Sequence, residues 1–156
     1  MISSPTQTLA AEHQHLSALV ALMKQEQQML VALDADALTE LTPKKNALVA
    51  DLATLSRQRH GALAAAGCEG SEAGMEPWLA VGGNGSAREQ WETMLATARE
   101  AKELNRVNGM LINRQLAHNQ GVLNAMRTPT NAPAGAIYGA SGQTLGVGAS
   151  KRYVVG

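Results

Sequence analysis

The stretch LTELTPKKNALVADLATLSRQRHGA, residues 38–62, carries its apolar side chains at Leu38, Leu41, Leu48, Leu52, Leu55 and Ala62. With Lys45 and Arg59 these positions alternate in steps of three and four. Such a set shares one face only on an α-helix, where residues three and four apart stack above one another. Asp34 and Asp36 precede the run, and aspartate favours turns and N-caps. Gly67 follows it and suits the left-handed position after a helix. The spacing therefore predicts a helix over about 36–66, which Thr42-Pro43 would re-cap or bend near its start. At Lys45 and Arg59 the expected arrangement is a packed aliphatic stem with the charged end in water.

On the N-terminal side, Leu9, Leu16, Met23 and Leu30 recur every seven residues, with Leu19 and Leu33 three residues after Leu16 and Leu30. That is a narrow seam on a helix of about 5–33, started by Ser4-Pro5-Thr6-Gln7 as a capping box with proline at the first position. On the C-terminal side, residues 67–85 are glycine-rich around Met75-Glu76-Pro77-Trp78-Leu79. They read as a mobile loop with one helical turn, anchored by Trp78. Ser86-Ala87-Arg88-Glu89 has the form of a second capping box. It opens a helix of about 87–127 whose first half faces inward through Trp91, Met94, Leu95, Ala98, Ala101 and Leu104. Asn105 and Asn108 interrupt that face and could fix its register, as a polar seam residue does in coiled coils. Thr128-Pro129 stops the helix. The expected fold is all-α: an antiparallel three-helix up-down-up bundle or coiled coil over 1–128 with a long third helix. A flexible C-terminal, partner-binding tail follows over 129–156, because those residues hold too little apolar surface to offset the entropy of ordering them.

Composition narrows the function. Thirteen basic residues balance thirteen acidic ones, so no overall charge draws the chain to nucleic acid or to an anionic membrane. No apolar run approaches the ~20 residues of a membrane span. The first residues lack the basic and apolar regions of a signal peptide, and Cys68, the only cysteine, excludes an internal disulfide. The chain reads as soluble and cytosolic. Nor does the sequence hold a recognisable reaction centre. His13 and His15 point to different sides of a helix, and Glu69 and Glu72 beside Cys68 disfavour a thiolate. Gly82-Gly83-Asn84-Gly85 lacks the strand before it and the Lys-Ser/Thr after it that a phosphate loop needs. The expectation is a binding protein without catalytic residues, metal or cofactor.

Lengths suggest where binding occurs. At 1.5 Å per residue the three helices span roughly 43, 46 and 61 Å. Stacked side by side, the third outruns the others by about 15–20 Å at its C-terminal end. Leu116, Val122, Leu123 and Met126 would then lack an intramolecular partner, and an unpaired apolar stripe is a docking surface or a dimer seam.

Three segments stand out together. One is the pattern Asp36, Leu38, Leu41, Lys45, Leu48, Leu52, Leu55, Arg59, Leu63, Gly67. The second, more specific, is Leu104-Asn105-Arg106-Val107-Asn108-Gly109-Met110-Leu111-Ile112, an Asn-x-x-Asn-Gly core followed by aliphatics. The third is Tyr138-Gly139-Ala140-Ser141-Gly142-Gln143-Thr144 in the tail. Together they resemble the FlgN family of flagellar export chaperones, whose core and C-terminal tail hold similar elements. The resemblance implies that the clients are hook-associated proteins of the hook-filament junction. They would be held by Leu111, Ile112, Leu116, Val122, Leu123 and Met126, with Ile137 and Leu145 of the tail. It further implies docking of Tyr138 to the cytosolic domain of the export gate FlhA, and contacts with the soluble export component FliJ. A structural coiled-coil component of a secretion apparatus is the alternative reading.

Overall fold

A computed structural model of the chain describes residues 4–82 and 84–127. Four α-helices follow one another: α1 (Leu9–Ala32), α2 (Ala35–Ala65), α3 (Met75–Gly82) and α4 (Gly85–Arg127), with a 3-10 turn at Glu72–Gly74 before α3. No strand occurs among the described residues, and no helix there is long and apolar enough to cross a membrane. The chain divides into two units, Met1–Asn113 and Arg114–Gly156. Within the second, residues 114–127 are described, all of them in α4.

Helix ends follow local chemistry, and several differ from expectation. Residues 5–8 form turns, so α1 begins at Leu9; Thr8 makes no capping bond because its hydroxyl donates to Glu12 Oε1 at 2.7 Å instead. α1 ends through Leu33 in the left-handed region (φ 59°), where the Leu33 and Asp34 amides donate to the carbonyls of Leu30 and Met29. Asp34 then caps α2, accepting from the Ala37 amide at 3.0 Å. α2 runs through Pro43 as a single helix, so Thr42 does not re-cap it; its hydroxyl donates back to the Leu38 carbonyl at 2.8 Å. Gly67 (φ 84°) closes α2: the Cys68 amide donates to the Leu63 carbonyl and the Gly67 amide to that of Ala64, a paired arrangement that satisfies two otherwise free carbonyls. The cap of α4 is Asn84, whose Oδ1 accepts from the Ala87 amide at 2.7 Å, so the box at Ser86 is not the one used.

Residues 67–85 contain more helix than the glycines suggest. α3 has two turns, and Met75 and Leu79, both buried, are its anchors; Trp78 is only partly buried. Gly74 is required by space, because a Cβ there would run into the carbonyl oxygen of Glu69.

The first unit has two apolar clusters. Leu9, Leu63, Met75, Leu79, Ala87, Trp91 and Met94 form one. Leu19, Val20, Met23 and Ala101 form the other, against which Leu48, Leu52 and Leu104 pack, and Leu16 touches both. Each fully buried leucine or methionine contributes about 1.5–3 kcal/mol. Contacts between α1 and α2 pair rising with falling numbers, Glu12 with Arg59 and Glu26 with Lys45, so the two helices form an antiparallel hairpin. Between α1 and α4 numbers rise together, from His13 with Thr97 to Met23 with Asn108.

Candidate functional site

Two polar assemblies set the frame of the first unit. In one, Arg59 is wholly buried and its charged end does not reach water. Its Nε and Nη2 donate to the two oxygens of Glu12, each at 2.9 Å, and its Nη2 also donates to Glu72 Oε1 at 2.8 Å. The Arg59 guanidinium lies 4.9 Å from the centre of the Trp91 ring, a cation–π contact. Thr8 and Ser56 hydroxyls donate to the remaining lone pairs of Glu12, at 2.7 and 3.2 Å. One side chain of α2 thus ties together α1, α4 and the turn before α3. Burial would lower the pKa of Arg59, but the hydrogen bonds and charges of Glu12 and Glu72 outweigh it and hold the pKa above its ordinary value. For Glu72, burial raises the pKa, yet bonding to Arg59, seconded by His60, leaves its carboxyl below the usual carboxylate range.

In the second assembly Asn108 of α4 is buried, and its Nδ2 donates to the Met23 carbonyl at 2.9 Å and to Glu26 Oε1 at 2.8 Å. Lys45 Nζ donates to the same Glu26 oxygen at 3.1 Å and reaches Asn105 Oδ1 at 3.5 Å. The register role expected of the asparagines therefore falls mainly to Asn108, while Asn105 is exposed.

In both assemblies each charged group is neutralised by a partner, and among the described residues no group of three His, Cys, Asp or Glu could hold a metal. His13 meets Thr97, His15 meets Asp51, His60 meets Glu72, and His118 is exposed.

Burial changes character after Asn108, the last buried residue of α4. Leu111 is half-buried, and Ile112 (39%) and Met110 (50%) are exposed within the first unit. In the second unit Leu116 (61%), Val122 (43%), Leu123 (53%) and Met126 (76%) are all exposed. Leu116 and Leu123 stand seven apart, and Val122 and Met126 four apart, so the helix gathers them on neighbouring rows. Water-facing leucines at this density, next to one another, form a surface suited to covering by a partner. Met110, which the sequence reading left out, is also exposed and accepts from Arg106 Nη1 at 3.0 Å. Ile137, Tyr138 and Leu145 lie outside the described residues.

A family model described as "FlgN protein" matches residues 1–146. A protein of Proteus mirabilis named "Flagella synthesis protein FlgN" is 27% identical over 145 residues, covering 92% of this chain and 91% of its own length. Proteins of the same name from Salmonella typhimurium and Salmonella typhi are each 28% identical over 131 residues, covering 83% of this chain and 81% of theirs. No solved structure matches.

Proposed function

Because the chain belongs to the FlgN family, we propose that it is an export chaperone of flagellum assembly. It would work in the cytoplasm on hook-associated proteins of the hook-filament junction and deliver them to the flagellar type III export gate. The observation that carries this reading is the exposed apolar run of α4, above all Leu116, Leu123 and Met126. A helical terminus of an unassembled subunit, apolar on the face that later packs in the filament, is the kind of segment such a surface covers. Covering it prevents premature association and requires no bond to be made or broken, so neither catalysis nor a cofactor enters.

The order of the contacts between α1, α2 and α4 supports reading the three long helices as an up-down-up bundle that carries this surface. Ile137 and Leu145 would extend the client site. Tyr138 would be the contact point for the cytosolic domain of FlhA, and FliJ a further partner. A helix-borne surface and a separate contact point along the chain allow client and gate to be engaged together. Calorimetry of purified hook-associated proteins against the full chain, and against a version ending at Arg127, tests the reading. Saturable binding that weakens on truncation is the expected result. A full chain that binds none of these proteins overturns it.

A further inference from the structure

Two Asn-Gly dipeptides occur in the chain, Asn84-Gly85 and Asn108-Gly109. In this dipeptide the side-chain amide is open to attack by the main chain, because the second residue has no Cβ to shield its nitrogen. The fold treats the two in opposite ways. Asn108 is 1% exposed, and its Nδ2 is held by the Met23 carbonyl at 2.9 Å and by Glu26 Oε1 at 2.8 Å. Gly109 lies inside α4, where main-chain N–H groups bond to the carbonyl four residues back. Both the group that would leave and the nitrogen that would attack are therefore restrained. At Asn84-Gly85 these restraints are lifted. Both residues are exposed. Gly85 is the first residue of α4, and the first amides of a helix have no carbonyl of their own helix to bond. A Cβ built on Gly85 meets nothing within 4 Å, so the space around it is open. The Ala87 amide donates to Asn84 Oδ1 at 2.7 Å; a donor on that oxygen stabilises the negative charge it gains when Cγ is attacked.

We propose that Asn84 is a site of spontaneous covalent modification, in which the Gly85 nitrogen attacks Asn84 Cγ. A bond forms between these two atoms, the Cγ–Nδ2 bond breaks, and Nδ2 leaves as ammonia with the proton given up by the Gly85 amide. Water then opens the resulting succinimide ring. Opening at Cγ leaves aspartate at position 84. Opening at the main-chain carbonyl leaves isoaspartate, in which the side-chain carbon has become part of the backbone. Each event consumes a water and releases an ammonia. The two products differ in what they do to α4. Aspartate caps a helix about as well as asparagine does, and its charge suits a helix N-terminus. Isoaspartate lengthens the main chain between the capping group and Ala87, so the bond from the Ala87 amide is lost. That loss falls where Ala87 and Trp91 enter the first apolar cluster. Modification therefore either keeps the start of α4 or frays it, according to which carbonyl water attacks.

The test incubates the full chain at neutral pH over days, folded and in concentrated urea. Peptide mapping by mass spectrometry follows the exchange of amide for acid at each asparagine. An isoaspartyl methyltransferase with a labelled methyl donor counts the isoaspartate. In the folded chain position 84 should convert ahead of every other asparagine, while Asn108 stays intact. In urea Asn108 should convert at a rate comparable with Asn84, because the fold no longer restrains it. Gly85→Ala should slow conversion at position 84 by about tenfold or more, since a Cβ now shields the nitrogen. That variant should fold as the parent does, because the space for its Cβ is empty. Asn84→Asp, the mimic of one product, should melt at or above the parent temperature; a lower one overturns the claim that this product keeps the cap. An Asn84 that is still an amide in the folded chain when Asn108 of the unfolded chain has converted refutes the proposal. So does conversion that Gly85→Ala fails to slow. Equal conversion of Asn84 and Asn108 in the folded chain refutes the division that the fold is proposed to make between them.

Discussion

At the scale of single residues, the position that governs most is Arg59. Its bidentate pair with Glu12 is buried on both sides, and removing one member strands the other charge out of water. Arg59→Ala should therefore lower the free energy of unfolding by about 3–5 kcal/mol, whereas Glu12→Leu combined with Arg59→Met should lose much less, because no charge is left unpaired. Urea unfolding of both variants separates these outcomes. Glu72 gives the same cluster a pH dependence. Its carboxyl is held below the usual range in the folded chain, so the folded state favours the ionised form. That contribution is fully present above the unfolded carboxylate value of about 4.3 and disappears as pH falls through the lower folded value. The stability difference between the parent and Glu72→Gln should thus be constant near neutrality and shrink below about pH 4, as denaturation at a series of pH values will show. The sequence placed Arg59 on the inward face but did not reveal that its charge is buried. A signal was available: Glu12 with Arg59, and Glu26 with Lys45, are opposite-charge pairs centred on the same point between residues 35 and 36, beside the Leu33–Asp34 turn.

At the scale of elements, the helices were legible because their three- and four-residue spacing is sustained over many turns, and short caps were not. Ser4, Thr42 and Ser86 all have the right side chain to cap, but Thr8, Asp34 and Asn84 occupy the helix starts. Capping is worth only about 0.5–2 kcal/mol, so packing of Leu9, Leu41 and Ala87 into the interior decides where each helix begins. α3, which the sequence marks as a single turn within a loop, is longer than that for the opposite reason. Eight residues are too few to hold a helix alone, and its two turns exist because Met75 and Leu79 are buried against Leu63, Trp91 and Met94. The end of α1 carries a testable cost. Leu33 adopts a left-handed conformation that disfavours side chains with a Cβ by roughly 1–2 kcal/mol, and its own side chain is 70% exposed, so it gains little from packing in return. Leu33→Gly should raise stability by about 1 kcal/mol. A melting temperature that stays constant or falls would mean that Leu33 is held by contacts stronger than its exposure indicates.

At the scale of the molecule, the sequence indicated which apolar residues are special only by subtraction: Leu116, Val122, Leu123 and Met126 were what remained once shorter helices had been matched against a longer one. The exposures agree with that subtraction for each of the four. For Ile137, Tyr138 and Leu145 neither spacing nor structure supplies a comparable argument, since they stand apart in a stretch without helical period. Folding and binding should accordingly be separable by the same substitution made at two places. Leu52 is half-buried and packs against the Leu19, Val20 and Met23 cluster. A carboxylate there must either be desolvated or push α2 away from α1, at a cost of several kcal/mol out of a typical total of about 5–15. Leu123 is 53% exposed and belongs to no such cluster, and exposed helix positions usually tolerate substitution within about 0.5 kcal/mol. Leu52→Asp should therefore melt well below the parent. Leu123→Asp should melt close to the parent but bind hook-associated proteins at least tenfold more weakly, because a charge at the centre of an apolar interface is desolvated on association. Calorimetric affinities read beside melting curves decide between the two effects. A Leu123→Asp chain that keeps its full affinity would remove the end of α4 from the client site. One that melts as low as Leu52→Asp would show that this leucine serves the fold and not the partner.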